Sequence, residues 1–143
     1  MLFRSSVQSI MAIGPVIPVV IIDNVNDAVP LVDALAEGGI GTIEITLRSP
    51  AALNAIELIS KERPDMTIGA GTVLNPQQMR EVHGAGADFV VSPGVYPELL
   101  QSARDCGVVF LPGAATASEM MLLLADGLTA MKFFPATAAG GPG

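Results

Sequence analysis

A chain of 143 residues, half of them apolar, is long enough for one domain with a real core and carries no compositional mark of disorder. Its formal net charge of −7, with no cluster of lysine or arginine, excludes a nucleic-acid footprint. A single cysteine excludes an internal disulfide framework, and no stretch reaches the ~18 apolar residues of a membrane helix or reads as a basic-then-apolar leader, so a cytoplasmic protein is expected.

The predicted elements alternate along the chain. Val16–Ile22 reads as an apolar strand, and Val25–Ala36 as an amphipathic helix closed by Gly38-Gly39. Thr42–Arg48 is a second strand. Ser49-Pro50 then supplies an N-cap and first-turn proline for a helix over Ala51–Lys61. Met66–Thr72 is the third strand, and Asn75-Pro76 with Gln78 opens the next helix. Phe89–Ser92, a helix around Pro97–Asp105, and Val108–Leu111 follow. Thr116 and Glu119 form a capping box for a helix ending at Ala125, and Met131–Phe134 is the sixth strand.

Strict alternation predicts parallel strands with right-handed crossovers. A doubly wound open sheet and a closed (β/α) barrel both satisfy it. The second strand favours the barrel. Ile43, Ile45 and Leu47 alternate with Thr42, Glu44, Thr46 and Arg48, so one face is apolar and the other carries a carboxylate and a guanidinium. An open sheet covered by helices on both sides wants strands apolar on both faces, whereas a barrel interior tolerates polar groups near its mouth. Glu44 and Arg48 lie about 13 Å apart along such a strand, too far to pair directly. Gly69-Ala70-Gly71-Thr72, Ser92-Pro93-Gly94 and Pro112-Gly113-Ala114 fall at strand C-termini, where glycine and proline read partly as loop punctuation. No G-x-G-x-x-G or Walker pattern follows the first strand, which removes support for a nucleotide fold.

Lys132 is a lone charge in the apolar run Ala130-Met131-Lys132-Phe133-Phe134-Pro135. Burial would favour the neutral amine, a nucleophile whose natural target is a carbonyl carbon. A strand-end lysine reaching water along its stem fits the same run, and the run alone leaves both readings open. Period-two parity lets Thr72 share the face of Ala70 and Lys132 that of Phe134. Glu44, Arg48, Thr72 and Lys132 then surround one pocket. A nucleophilic amine, a proton-transfer carboxyl, a guanidinium fork and a hydroxyl donor are the parts of imine chemistry on a 2-oxo acid. Cys106 reads as a packing residue. His83 reads as a surface histidine without partners at metal-ligand spacing, so no metal is expected.

At these residues the chain resembles the class I 2-keto-3-deoxy-6-phosphogluconate (KDPG) aldolase and 4-hydroxy-2-oxoglutarate aldolase family. The matching stretches are Gly14-Pro15-Val16-Ile17-Pro18-Val19, Glu44-Ile45-Thr46-Leu47-Arg48, Gly69 through Gln78, Ser92-Pro93-Gly94 and Lys132-Phe133-Phe134-Pro135-Ala136, in the family's order and spacing. The resemblance implies a homotrimeric (β/α)8 TIM barrel of the Entner–Doudoroff pathway. It would cleave a 2-keto-3-deoxy phosphosugar acid to pyruvate and glyceraldehyde 3-phosphate through a covalent imine, with no cofactor. By position it implies Lys132 as the Schiff-base lysine, Glu44 as the general acid/base, Arg48 and Thr72 as carboxylate-binding residues, and Pro93 and Phe134 as pocket walls. The 4-hydroxy-2-oxoglutarate and 2-keto-3-deoxy-6-phosphogalactonate aldolases would use the same lysine and carboxyl. A non-catalytic fragment or binding protein is the reading from another class. The family continues with two further βα units whose loops bind the substrate phosphate. Residues 1–143 are therefore expected to form a single barrel domain that stops short of them, with open edges on its first and sixth strands.

Overall fold

A computed structural model describes residues 6–142. Helix α1 (Val7–Met11) precedes strand β1 (Val19–Val20). Then come α2 (Ala28–Glu37), β2 (Thr42–Thr46), α3 (Ala52–Glu62), β3 (Thr67–Gly71), α4 (Pro76–Gly84), β4 (Phe89–Val91), α5 (Pro97–Cys106), β5 (Val109–Leu111), β6 (Gly113–Ala114), α6 (Ala117–Ala125) and β7 (Lys132–Phe133). Strands β1 to β5 form one parallel sheet in chain order. β6 continues β5 beyond Pro112 and pairs in parallel with β7. The chain thus supplies six successive parallel strand positions, joined by helices.

Alternation along the strands separates two apolar clusters. Ile43, Ile45, Ile68, Ala70, Val90 and Phe110 pack against the helices, on Val32, Ile56, Ile59, Met79, Leu99 and Leu123. Phe89 and Val91 point the other way and meet Ile10 of α1, with Ile17, Val109 and Leu111 against them. Both sides of the sheet are therefore covered by side chains, and the second cluster fills the inside of a curved sheet, as in a barrel core. α1 sits at the N-terminal end of the strands, where Ile13 fills the space beside Gly41. No helix among the described residues is long and apolar enough to cross a membrane.

Several sequence expectations shift. The segment Val16–Ile22 pairs only at Val19 and Val20, because Pro15 and Pro18 lack the N–H a ladder needs. Pro18 still accepts a bond from the Glu44 N–H at 2.8 Å. The helix expected from Val25 begins as a 3₁₀ turn over Val25–Asp27. Ser49 does not cap α3; its hydroxyl donates to the Ile22 carbonyl and ties the β2 end to the first strand segment. Pro112 interrupts the strand begun at Val109, but its carbonyl accepts from the Lys132 N–H at 2.8 Å, so the parallel pairing reaches β7. α1, opened by a Ser6–Ser9 capping box, had no apolar period long enough to announce it. The Asn75 cap with Pro76 in the first turn, and the Thr116–Glu119 capping box, form as read.

Candidate active site

The C-terminal ends of β2, β3, β4, β6 and β7 meet at one rim. β2 is buried at all five positions. Its odd residues Ile43 and Ile45 face the helices, which turns Thr42, Glu44 and Thr46 inward. Thr46 donates to the Val20 carbonyl at 3.2 Å. Glu44 retains only 5% exposure, and its Oε1 has no hydrogen-bond partner. Burial pushes the Glu44 carboxyl above its ordinary value, and the nearby Lys132 and Arg48 charges pull it back only in part.

Lys132 reaches this carboxyl from β7. Its Nζ lies 3.9 Å from Glu44 Oε1 and 4.7 Å from the centre of the Phe134 ring. The first distance is within Coulombic reach but too long for a direct hydrogen bond. The second places the amine on the aromatic face in cation–π geometry. The lysine is not fully buried as one reading had it: its side chain keeps 28% exposure. The reason is topological, because β7 is an outermost strand, paired on one side only among the described residues.

The remaining predicted residues divide. Arg48 does not share a strand face with Glu44. β2 ends at Thr46 and Arg48 is exposed in the following turn, so its effect on the carboxyl is through charge rather than register. Thr72 does not obtain its place from parity with Ala70. Ala70 pairs with Ile45 on the helix side, and Thr72 takes a left-handed φ of 57°, which breaks the alternation just beyond β3. Pro93, half-buried, lies in a loop that leans on β6: a Cβ on Gly113 would come within 2.8 Å of the Ser92 carbonyl oxygen and closer still to Pro93's. Buried Ser92 holds that loop by donating to the Gly94 carbonyl at 2.7 Å. The loop thus buttresses the strand that pairs with Lys132.

Gly69 and Gly71 fall in the third strand as expected, and loop punctuation is not their role. Both lie within β3 and neither has a positive φ. Gly69 pairs with Glu44 in register, so both glycines face inward. The Phe89 ring occupies the space over Gly69, and the Glu44 carboxyl that over Gly71. Glycines spaced by two in a strand signal a close approach, and that signal was present in the sequence.

Chemically, a partly dry amine faces a carboxyl whose protonation is favoured by burial. Such a pair can add to a carbonyl and pass a proton to or from the adduct. The architecture is the parallel βα arrangement of an unclosed part of a (β/α) barrel, bearing a lysine–carboxyl pair at its C-terminal rim. The chain belongs to the KDPG and KHG aldolase family, whose model matches residues 7–142. The KHG/KDPG aldolase of Escherichia coli K12 is 47% identical over 139 residues, which cover 97% of this chain and 65% of the relative, so the chain spans just under two thirds of that protein's length. Among solved structures, the Legionella pneumophila KDPG aldolase, captured with pyruvate as a covalent carbinolamine, superposes with a TM-score of 0.94 at 45% identity, covering 97% of this chain and 68% of that one. The Zymomonas mobilis ZM4 enzyme with 3-phosphoglycerate gives 0.88 at 45% identity, covering 94% and 64%.

Proposed function

We propose that this chain carries the covalent machinery of a class I aldolase that cleaves 2-dehydro-3-deoxy-6-phosphogluconate to pyruvate and glyceraldehyde 3-phosphate. The Lys132 amine attacks the C2 carbonyl, giving a carbinolamine that loses water to an iminium. Glu44 takes the proton of the C4 hydroxyl as the C3–C4 bond breaks, and the bonding electrons flow into the iminium to form an enamine. The aldehyde leaves. Glu44 then returns the proton to C3, and hydrolysis frees pyruvate and the amine. Arg48 and Thr72 are assigned to the substrate carboxylate, Pro93 and Phe134 to the pocket wall. Groups that would hold the substrate phosphate are assigned to the part of the relatives that this chain does not span, as is completion of a trimeric assembly.

The observation that carries this reading is the approach of Lys132 Nζ to the buried, unpartnered Glu44 Oε1 at the rim. The captured carbinolamine of the Legionella relative supports it. The Escherichia coli relative's name also supports a second substrate, 4-hydroxy-2-oxoglutarate, which needs the same two residues.

The test uses pyruvate alone, so it does not depend on phosphate binding. In D₂O the chain should exchange the methyl hydrogens of pyruvate, followed by proton NMR. Glu44→Gln should slow exchange by about 10²–10⁴-fold, the usual worth of a general acid/base. Exchange at the buffer rate in the unaltered chain would count against the enzyme and for a binding protein.

A further inference from the structure

Gly71 is glycine for a reason that neither turn geometry nor flexibility explains. It is the last residue of β3 and sits in ordinary extended backbone, without a positive φ. A Cβ built there would lie 2.7 Å from Glu44 Cδ and 2.8 Å from Cγ, with Oε1 nearer still. The obstruction is thus the whole carboxyl end of the side chain. Ordinary carbon–carbon contact begins near 3.5 Å, so a methyl group at Gly71 would displace the carboxyl by about 1 Å.

The backbone cannot absorb that displacement cheaply. The Gly71 carbonyl accepts from the Leu47 N–H at 2.9 Å, and Val73 donates to the Val91 carbonyl at 3.3 Å, which ties the β3 end to β2 on one side and β4 on the other. Glu44 is fixed just as firmly, its own N–H bonded to Pro18 and its residue pair set by the β2–β3 register. The side chain must move instead, and its neighbour in that space is Lys132 Nζ, 3.9 Å from Oε1.

We infer that Gly71 is the positioning residue for the acid/base carboxyl: its missing side chain is the slot in which Glu44 lies opposite the Lys132 amine. This rests on the aldolase reading for its catalytic consequence, though not for its geometry. A misplacement of about 1 Å commonly costs on the order of 10²-fold in rate. The loss should fall on proton transfer and spare amine addition, because Gly71 touches the carboxyl and not the lysine.

The experiment compares Gly71→Ala with Gly86→Ala. The second substitution strains a glycine at φ 95° against Ser60, on the helix side and away from the site, and controls for lost stability. Three quantities are read at equal folded fraction by circular dichroism: pyruvate methyl exchange, borohydride trapping of pyruvate on Lys132, and the titration of Glu44 by carbon NMR with labelled glutamate. Gly71→Ala should slow exchange about 10²-fold, keep trapping within about threefold, and move the Glu44 titration midpoint, while Gly86→Ala changes none of them. Glu44→Ala removes the Cγ and Cδ that the added methyl would meet, so Gly71→Ala in a Glu44→Ala background should cost less than tenfold relative to Glu44→Ala alone. Equal exchange in the two alanine variants, an unmoved Glu44 midpoint, or a double variant whose losses simply multiply would each overturn the inference. A parent chain that neither traps nor exchanges pyruvate would sink the aldolase reading instead, and the Glu44 midpoint would still decide the role of Gly71.

Discussion

Glu44 is held out of water with one oxygen unpaired, and this has a consequence for stability as well as for chemistry. Burial raises its carboxyl above the ordinary 4.5, so between that value and the raised one the folded state binds more protons than the unfolded state. Stability must then fall as pH rises through this window, and the part present below 4.5 is lost above the folded value. Glu44→Gln, neutral at every pH, should therefore gain stability relative to the parent as pH rises through the window and show no gain below it. Urea denaturation at a series of pH values measures the difference. A parent chain that gains on the variant with rising pH would mean that Lys132 and Arg48 outweigh burial. Lys132 and Glu44 were both legible in the sequence, one as a lone charge in an apolar run and the other by its alternation with isoleucines. The slot at Gly71 was harder to read, because a strand-end glycine looks like loop punctuation until register places it opposite a carboxyl.

Element boundaries decide which side chains share a face, and here they limited what the sequence could tell. Counting in twos along β2 holds for Thr42, Glu44 and Thr46, where every residue is buried and paired with β3. It fails at Arg48 because pairing stops two residues earlier, and at Thr72 because a left-handed residue reverses the chain's alternation. Both failures occur where strands give way to rim loops, the place where functional groups gather in this architecture. Arg48, exposed in its turn, has no ion-pair partner among the described residues and is free to take a carboxylate through its planar fork. Arg48→Lys keeps the charge but loses the paired geometry. Pyruvate affinity, read from the concentration dependence of trapping, should weaken by about tenfold, one lost charge-assisted hydrogen bond being worth about 1.5 kcal/mol. Saturating pyruvate should still label Lys132. Unchanged affinity would assign Arg48 to tuning Glu44 by charge alone.

Across the whole molecule, six strand positions were readable from the alternation of patterns, and the helix caps at Asn75 and Thr116 were readable from single residues. Two margins remain unpaired among the described residues, β1 and β7. Apolar side chains lie open at both, Val16, Val19 and Ile21 on one and Phe133 on the other, with Met121, Leu122 and Leu124 exposed along α6. Such edges and patches invite association unless something covers them. The unspanned third of the Escherichia coli relative, joined to this chain or added separately, should sharpen its thermal unfolding and raise its midpoint. It should also reduce dye binding to exposed apolar surface. An unchanged midpoint and unchanged dye binding would show that these margins need no such cover.

The most direct measurement of the central claim is chemical capture at Lys132. Pyruvate with borohydride should leave a stable 1-carboxyethyl adduct on the amine, on one peptide mapped by mass spectrometry to Lys132, in both the parent chain and Glu44→Gln. That result would establish the amine as the covalent group and separate its role from that of the carboxyl. An adduct on exposed Lys61 only, or none at saturating pyruvate in a folded chain, would contradict the account.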